Sequence, residues 1–358
     1  MLIESSAPTR VDLAGGTIDI WPLYLFHPGA STVNFAISLR AHCSIKTRED
    51  GRIVLESRDR KVAFETELAA IEDLAREERL ELISKLVHFF KPNTGFHLVA
   101  NSEAPAGAGL AGRGVVPGVE DLQEDPLGPA VEPGVGGRQL PGRVVAQPQA
   151  AQLASHERKF ITMAANIETT VIRVPAGFQD YYSAQFGAAS CVHFRADGIE
   201  REKLNVNEMK LQERIAICYT GEPRLSGTNN WEIFKKHIDG DSQIFEIFDG
   251  IRDSALRMRQ ALLADDWAEV GETMRAAYPN RKRLAPGVTT PQMDHLVETA
   301  LANGAEAAKV CGAGGGGCIA FLCADGRKPD VERALSAEKG AEILDWRFSR
   351  EGLVVTES

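Results

Sequence analysis

Ala104-Pro105-Ala106-Gly107-Ala108-Gly109-Leu110-Ala111-Gly112-Arg113-Gly114 follows a β-like run, Phe96-His97-Leu98-Val99-Ala100-Asn101. Glycine lacks a Cβ, so a loop with glycines at 107, 109 and 112 can turn sharply and aim consecutive N–H groups at one anion. A helix starting there would add the positive end of its dipole. The natural guest of such a loop is a nucleotide phosphate, although a glycine-rich turn can also be only a turn. The spacing matches G-x-G-x-x-G, but a dinucleotide fingerprint needs a helix directly after the glycines and an acidic residue about 20 positions on. Gly114-Val115-Val116-Pro117-Gly118 follows instead, so the dinucleotide reading is set aside. No Gly-Lys-Ser/Thr, nucleophile elbow or zincin helix occurs.

Outward from the loop, the bulk numbers bound the partners. The 358 residues are enough for two domains or one large one. A net charge of −10 argues against a nucleic-acid partner, and no apolar run reaches the roughly 20 residues of a membrane span. Met1-Leu2-Ile3-Glu4-Ser5-Ser6 lacks a secretory signal pattern, so a cytoplasmic location is expected. The cysteines at 43, 191, 218, 311, 318 and 323 sit in apolar surroundings without C-x-x-C spacing and are expected to be buried thiols.

Along the chain, Val11 and Leu13 alternate with Arg10 and Asp12 as in a half-buried strand that Gly15-Gly16 ends. Strands are expected at 31–38, 43–47 and 52–56, and one helix at 67–90, closed by Pro92. Residues 151–171 read as a helix, and 174–182 as a loop in which Asp180, Tyr181 and Tyr182 suit a ligand-facing turn. Strands follow at 187–194 and 214–220. Helices are expected at 231–238, 242–264, 267–279 and 291–303. Strands at 307–311 and 318–323 flank Gly312-Ala313-Gly314-Gly315-Gly316-Gly317, then a helix at 330–339 and strands near 342–347 and 352–356. Without strict βαβ alternation the fold class is α+β.

Three separated features converge on one resemblance. Thr9-Arg10-Val11-Asp12-Leu13-Ala14-Gly15-Gly16-Thr17-Ile18-Asp19, Pro105-Ala106-Gly107-Ala108-Gly109-Leu110-Ala111-Gly112 and Lys309 through Gly317 resemble, in order, the three motifs of the GHMP kinases. The resemblance spans residues 7 to about 325. It implies a two-domain GHMP kinase fold, with a ribosomal-S5-like domain over 1–200 and a ferredoxin-like α/β plait over 201–358.

It also implies transfer of the γ-phosphoryl group of ATP, with Mg2+, to a hydroxyl of a sugar or sugar phosphate, in a monomer or homodimer. Asp180 would match the catalytic aspartate and Arg10 the arginine beside it. Glu168, twelve residues earlier, would match the magnesium-ligating glutamate. Pro105, Gly107, Gly109, Leu110, Gly112, Gly314, Gly315 and Gly316 would hold the nucleotide; Gly16, Thr17, Asp19 and Tyr182 would meet the sugar. The Gly-Gly-Thr turn looks closer to heptose 7-phosphate kinases, which phosphorylate the anomeric oxygen, than to galactokinases, which carry Glu-His there. Ser226-Gly227-Thr228-Asn229-Asn230 and Lys235-Lys236 could meet a sugar or its phosphate, but read first as a solvated loop and helix face.

One departure stands out. The family's second motif continues into Ser-Ser-Ala and a helix, where this chain has Arg113-Gly114. Residues 113–150 are about a third glycine plus proline and contain no aromatic residue, isoleucine or lysine. We read them as translated in a shifted frame between stretches of correct frame. A catalytically impaired sugar- or nucleotide-binding homologue is the alternative this departure leaves open.

Overall fold

The computed structural model describes residues 1–110, 147–223 and 226–358. Gly112 and the expected anomaly from 113 to 146 lie outside the described residues. The strands are β1 (Leu2–Ala14), β2 (Ser31–Arg48), β3 (Arg52–Ser57), β4 (Val62–Glu67), β5 (Gly95–Ser102), β6 (Ala189–Arg195), β7 (Gly198–Leu204), β8 (Ile215–Tyr219), β9 (Ala305–Val310), β10 (Cys318–Cys323), β11 (Glu342–Ile343) and β12 (Val354–Glu357). The helices are α1 (Glu81–Phe90), α2 (Gln147–Ile172), α3 (Gln179–Phe186), α4 (Glu208–Arg214), α5 (Ser226–Ile238), α6 (Ser242–Leu263), α7 (Trp267–Leu284), α8 (Pro291–Ala302) and α9 (Lys328–Ser336).

The larger sheet runs β12-β1-β2-β5-β3-β4, with β6 and β7 continuing from the first half of β2. The smaller runs β11-β8-β10-β9 and is antiparallel throughout. Among the described residues only β3–β5 is parallel. The fold is α+β, as the sequence implied. Capping follows the sequence: Asp241, Asp266 and Thr290 accept hydrogen bonds from first-turn N–H groups of α6, α7 and α8, and Pro291 occupies the start of α8.

The core does not stop at the boundary between the sheets. One buried cluster joins Val11, Leu13 and Leu110 to Ile215, Met258, Cys318 and Trp346. The chain end returns as β12 to pair with β1. All six cysteines are buried and outside any disulfide, as expected.

Several expected elements are redrawn. Residues 31–48 form one strand, not two. The single helix of 67–90 is instead the end of β4, a 3-10 segment over Leu68–Arg76, an extended break at Glu77 and then α1. A straight helix of that length would run about 36 Å, whereas the break lets Leu74, Leu80, Val87 and Phe90 all pack on Ile45, Phe96 and Leu98. The half-buried reading of β1 also fails: Arg10 and Asp12 are as buried as Val11 and Leu13. The loop of 174–182 is shorter than expected, because α3 begins at Gln179. The α2 helix starts at Gln147, four residues before the helix expected at 151–171. The short elements β4, β7 and α4 were not anticipated.

Candidate active site

Arg10 is the centre of the site. It lies on β1, only 2% exposed, and its Nε donates to Asp180 Oδ1 at 2.8 Å while Nη2 makes a second, short bond to the same oxygen. Nη1 donates to the Gly109 carbonyl at 2.8 Å, and the Arg10 N–H donates to the Leu110 carbonyl at 3.0 Å. One residue thus ties the first glycine turn to the first turn of α3. Burial alone would lower the Arg10 pKa, but Asp180 and Asp12 outweigh it and push it up. Arg10 and Asp180 thus stand side by side, the arrangement the resemblance implied.

Asp19 is buried and spends its carboxylate on the backbone. Oδ1 accepts from the Thr17 N–H and Oδ2 from the Gln179 N–H, both at 3.1 Å. Burial pushes its pKa up to about 6, against the Gln179 hydrogen bond, and Asp180 adds to the rise. A Cβ on Gly177 would sit 2.2 Å from Asp19 Oδ2, so glycine is required there. Thr17 holds φ +84°, a left-handed conformation costly for a β-branched residue.

Thr17, Asp19, Pro105, Gly107, Gly109, Leu110, Glu168, Asp180, Gly312 and Ala313 line one cavity of about 520 Å³. The Tyr181 hydroxyl donates a short hydrogen bond to Glu168 Oε2, and burial with Glu168 keeps that phenol protonated by raising its pKa well above 10. The second glycine run closes on the first. Gly312, Gly314, Gly315, Gly316 and Gly317 all have positive φ. The Cys318 N–H donates to the Ala108 carbonyl at 2.8 Å, and a Cβ on Gly317 would meet that same oxygen at 2.7 Å.

Not every expected ligand reaches the cavity wall. Tyr182 is buried beside Phe186 in the cluster of Tyr24 and Phe194, and Tyr181 takes the wall position instead. The Gly315 N–H is spent on the Val288 carbonyl, and a Cβ on Gly314 would strike that carbonyl at 2.3 Å. Gly16 lies against Asp12, where a Cβ would come within 2.7 Å of Oδ2.

Sequence reading missed the buried ions that join the two halves. Lys309 Nζ donates to Asp12 Oδ2 at 2.7 Å, and the Gly312 N–H donates to Oδ1 at 3.3 Å. Burial alone would raise the Asp12 pKa, but Lys309 and Arg10 hold it well below the usual carboxylate range. Lys309 opens the third motif, so a signal was present. Arg281 offered none, because Arg281-Lys282-Arg283 reads as a solvated helix end.

Residues 258–341 match the family described as GHMP kinases C terminal. The chain is 26% identical over 362 residues to the D-glycero-alpha-D-manno-heptose 7-phosphate kinase of Campylobacter jejuni, covering 98% of each protein. It is 26% identical to the mevalonate kinase of Thermococcus sibiricus, over 100% of this chain and 99% of that one. Among solved structures, a D-glycero-D-manno-heptose 1-phosphate kinase from Bacteriodes thetaiotaomicron superposes with a TM-score of 0.67 at 21% identity, over 99% of both chains, a likeness of fold. With the three motifs in order around one cavity, the chain is similar to GHMP kinases over its whole length, and its residues 258–341 match the C-terminal model of that family.

Proposed function

We propose that this chain transfers the γ-phosphoryl group of ATP to a sugar hydroxyl, the anomeric oxygen of a heptose phosphate or a related sugar. The observation that carries the reading is the Arg10–Asp180 pair on the wall of a cavity bounded by both glycine turns. Its similarity to a heptose 7-phosphate kinase supports the choice of sugar.

In this reading Asp180 takes the proton of the attacking hydroxyl as its oxygen bonds to the γ-phosphorus. The bond from that phosphorus to the bridging oxygen breaks, and ADP leaves with the electron pair. Arg10 holds Asp180 in place and offsets charge that gathers on the phosphoryl oxygens. Thr17 and Asp19 shape the sugar side; Pro105, Gly107, Gly109 and Leu110 shape the phosphate side. Magnesium takes oxygen ligands, and Glu168 offers a carboxylate on the cavity wall whose orientation Tyr181 fixes, so the residues fit the ion. Bound there, Mg2+ would neutralise phosphate charge.

Arg113-Gly114, in place of two serines, favours a second reading in which the chain binds sugar or nucleotide without turnover. Loss of a phosphate cradle costs on the order of 10³-fold in rate. ADP release is measured with ATP, Mg2+ and a panel of heptose 7-phosphate, galactose and mevalonate. Release dependent on the heptose phosphate is expected; binding without release overturns the kinase reading and supports the second.

A further inference from the structure

Arg281 is a buried cation that no carboxylate contacts by hydrogen bond or ion pair among the described residues. It is 6% exposed and lies near the end of α7. Nη1 donates to the Gly16 carbonyl at 3.2 Å and, in a short bond, to the Thr17 hydroxyl. Nη2 donates a short bond to the Gly312 carbonyl. Nε is buried and has no hydrogen-bond partner among the described residues. Burial lowers the Arg281 pKa while Asp12 and Asp19, nearby but not bonded to it, act in the opposite sense.

A guanidinium in this setting is expensive, since its charge has left water and met only neutral acceptors. The acceptors it does meet belong to two turns that it holds side by side at the cavity. Thr17, Gly312 and Ala313 line that cavity. A second, independent observation falls on the same spot: Thr17 is held at φ +84°, a strain that persists only where surrounding bonds impose it. The Arg281 bond to its hydroxyl and the Asp19 bond to its N–H are those constraints.

We propose that Arg281 is the positioning residue that sets the turn 15–19 against the glycine loop 312–317. Its charge is completed by a phosphate group lying in the cavity between Thr17 and Gly312, a point that rests on the phosphotransfer reading above. Arg281 touches no reacting atom. It acts through the Gly16, Thr17 and Gly312 oxygens, and its unpaired charge makes the space in front of them attractive to an anion.

The test compares the full chain with Arg281→Lys and Arg281→Met by amide hydrogen exchange and by calorimetric titration with tripolyphosphate. Losing a charge-assisted fork should speed exchange of the 15–18 and 312–317 amides about tenfold or more in both variants, because lysine cannot bond both turns at once. Arg281→Met should bind tripolyphosphate about tenfold more weakly, and Arg281→Lys should retain most of the affinity. Parent-like exchange in both turns overturns the positioning role, as does faster exchange spread evenly over the whole chain. Equal tripolyphosphate affinity in the parent and Arg281→Met, or none in the parent, overturns the charge-completion role. Should Arg281→Met fail to fold, the lysine variant still reads the positioning role, and salt dependence of parent tripolyphosphate binding reads the charge. Failure of the kinase reading shows separately, as absent sugar-dependent ADP release from a parent that still binds tripolyphosphate.

Discussion

Asp180 and Arg10 divide the work by exposure. The guanidinium is enclosed, whereas the carboxylate is 28% exposed at the cavity wall, where it can meet a hydroxyl. Replacing Asp180 with Asn removes the proton acceptor and leaves a buried cation short of its partner. Turnover should fall about 10²–10⁴-fold, read as sugar-dependent ADP release, with ADP affinity changed far less. Asp19 supplies a pH dependence whose sign can be worked out. Its folded pKa of about 6 exceeds the ordinary value of 3.8, so the folded state binds the extra proton between those limits. Its contribution to stability is therefore present at low pH and lost as pH rises through about 6. Activity should run the other way. The ionised carboxylate accepts from both the Thr17 and Gln179 N–H groups, so turnover should rise through an apparent pKa near 6 in a pH–rate profile.

Elements meet at the site because certain glycines let them. Gly177 pairs with Ile20 in an isolated bridge and leaves room for the Asp19 carboxylate, so the chain entering α3 lies directly on the turn after β1. Gly177→Ala should cost about 1–3 kcal/mol in thermal denaturation and should also reduce turnover, since the displaced group is Asp19. Gly314→Ala combines φ +83° with a Cβ 2.3 Å from the Val288 carbonyl and should cost a similar amount. At this scale the sequence was partly legible. Capping residues and glycine runs are local signals: Asp241, Asp266 and Thr290 mark the starts of α6, α7 and α8, and glycines mark the β9–β10 turn. The 67–90 helix was misjudged because helical spacing of Leu74, Leu80 and Phe90 is also met by a 3-10 segment and a short helix bent over one sheet. The site motifs were legible because their chemistry needs fixed neighbours in sequence. Arg281 was not, because its partners at 16, 17 and 312 are brought to it by packing alone.

Across the whole molecule, Asp12 and Lys309 lock the first strand of the larger sheet to β9 of the smaller one. Both are buried. Lys309→Met strands the Asp12 charge and should cost about 3–5 kcal/mol in urea unfolding. Asp12→Leu combined with Lys309→Met should recover much of it, since a buried pair replaced by apolar groups of similar size is often neutral. Among the described residues no helix is long and apolar enough to cross a membrane. The shifted-frame reading of 113–150 is settled by resequencing the gene. A compensating insertion and deletion flanking the segment is expected, and an undisturbed frame ends the idea.

The sequence by itself determined the resemblance to GHMP kinases, the α+β class and the pieces of the turns that line the cavity, because glycine freedom and capping act over a few bonds. Only the tertiary structure decided that Asp19 spends its carboxylate on the Thr17 and Gln179 N–H groups, that Tyr181 and not Tyr182 reaches the cavity, and that Lys309 and Arg281 bind the halves together. Those outcomes depend on which groups lose water together when the sheets pack, and burial of charge is a property of the assembled core that no stretch of chain carries alone.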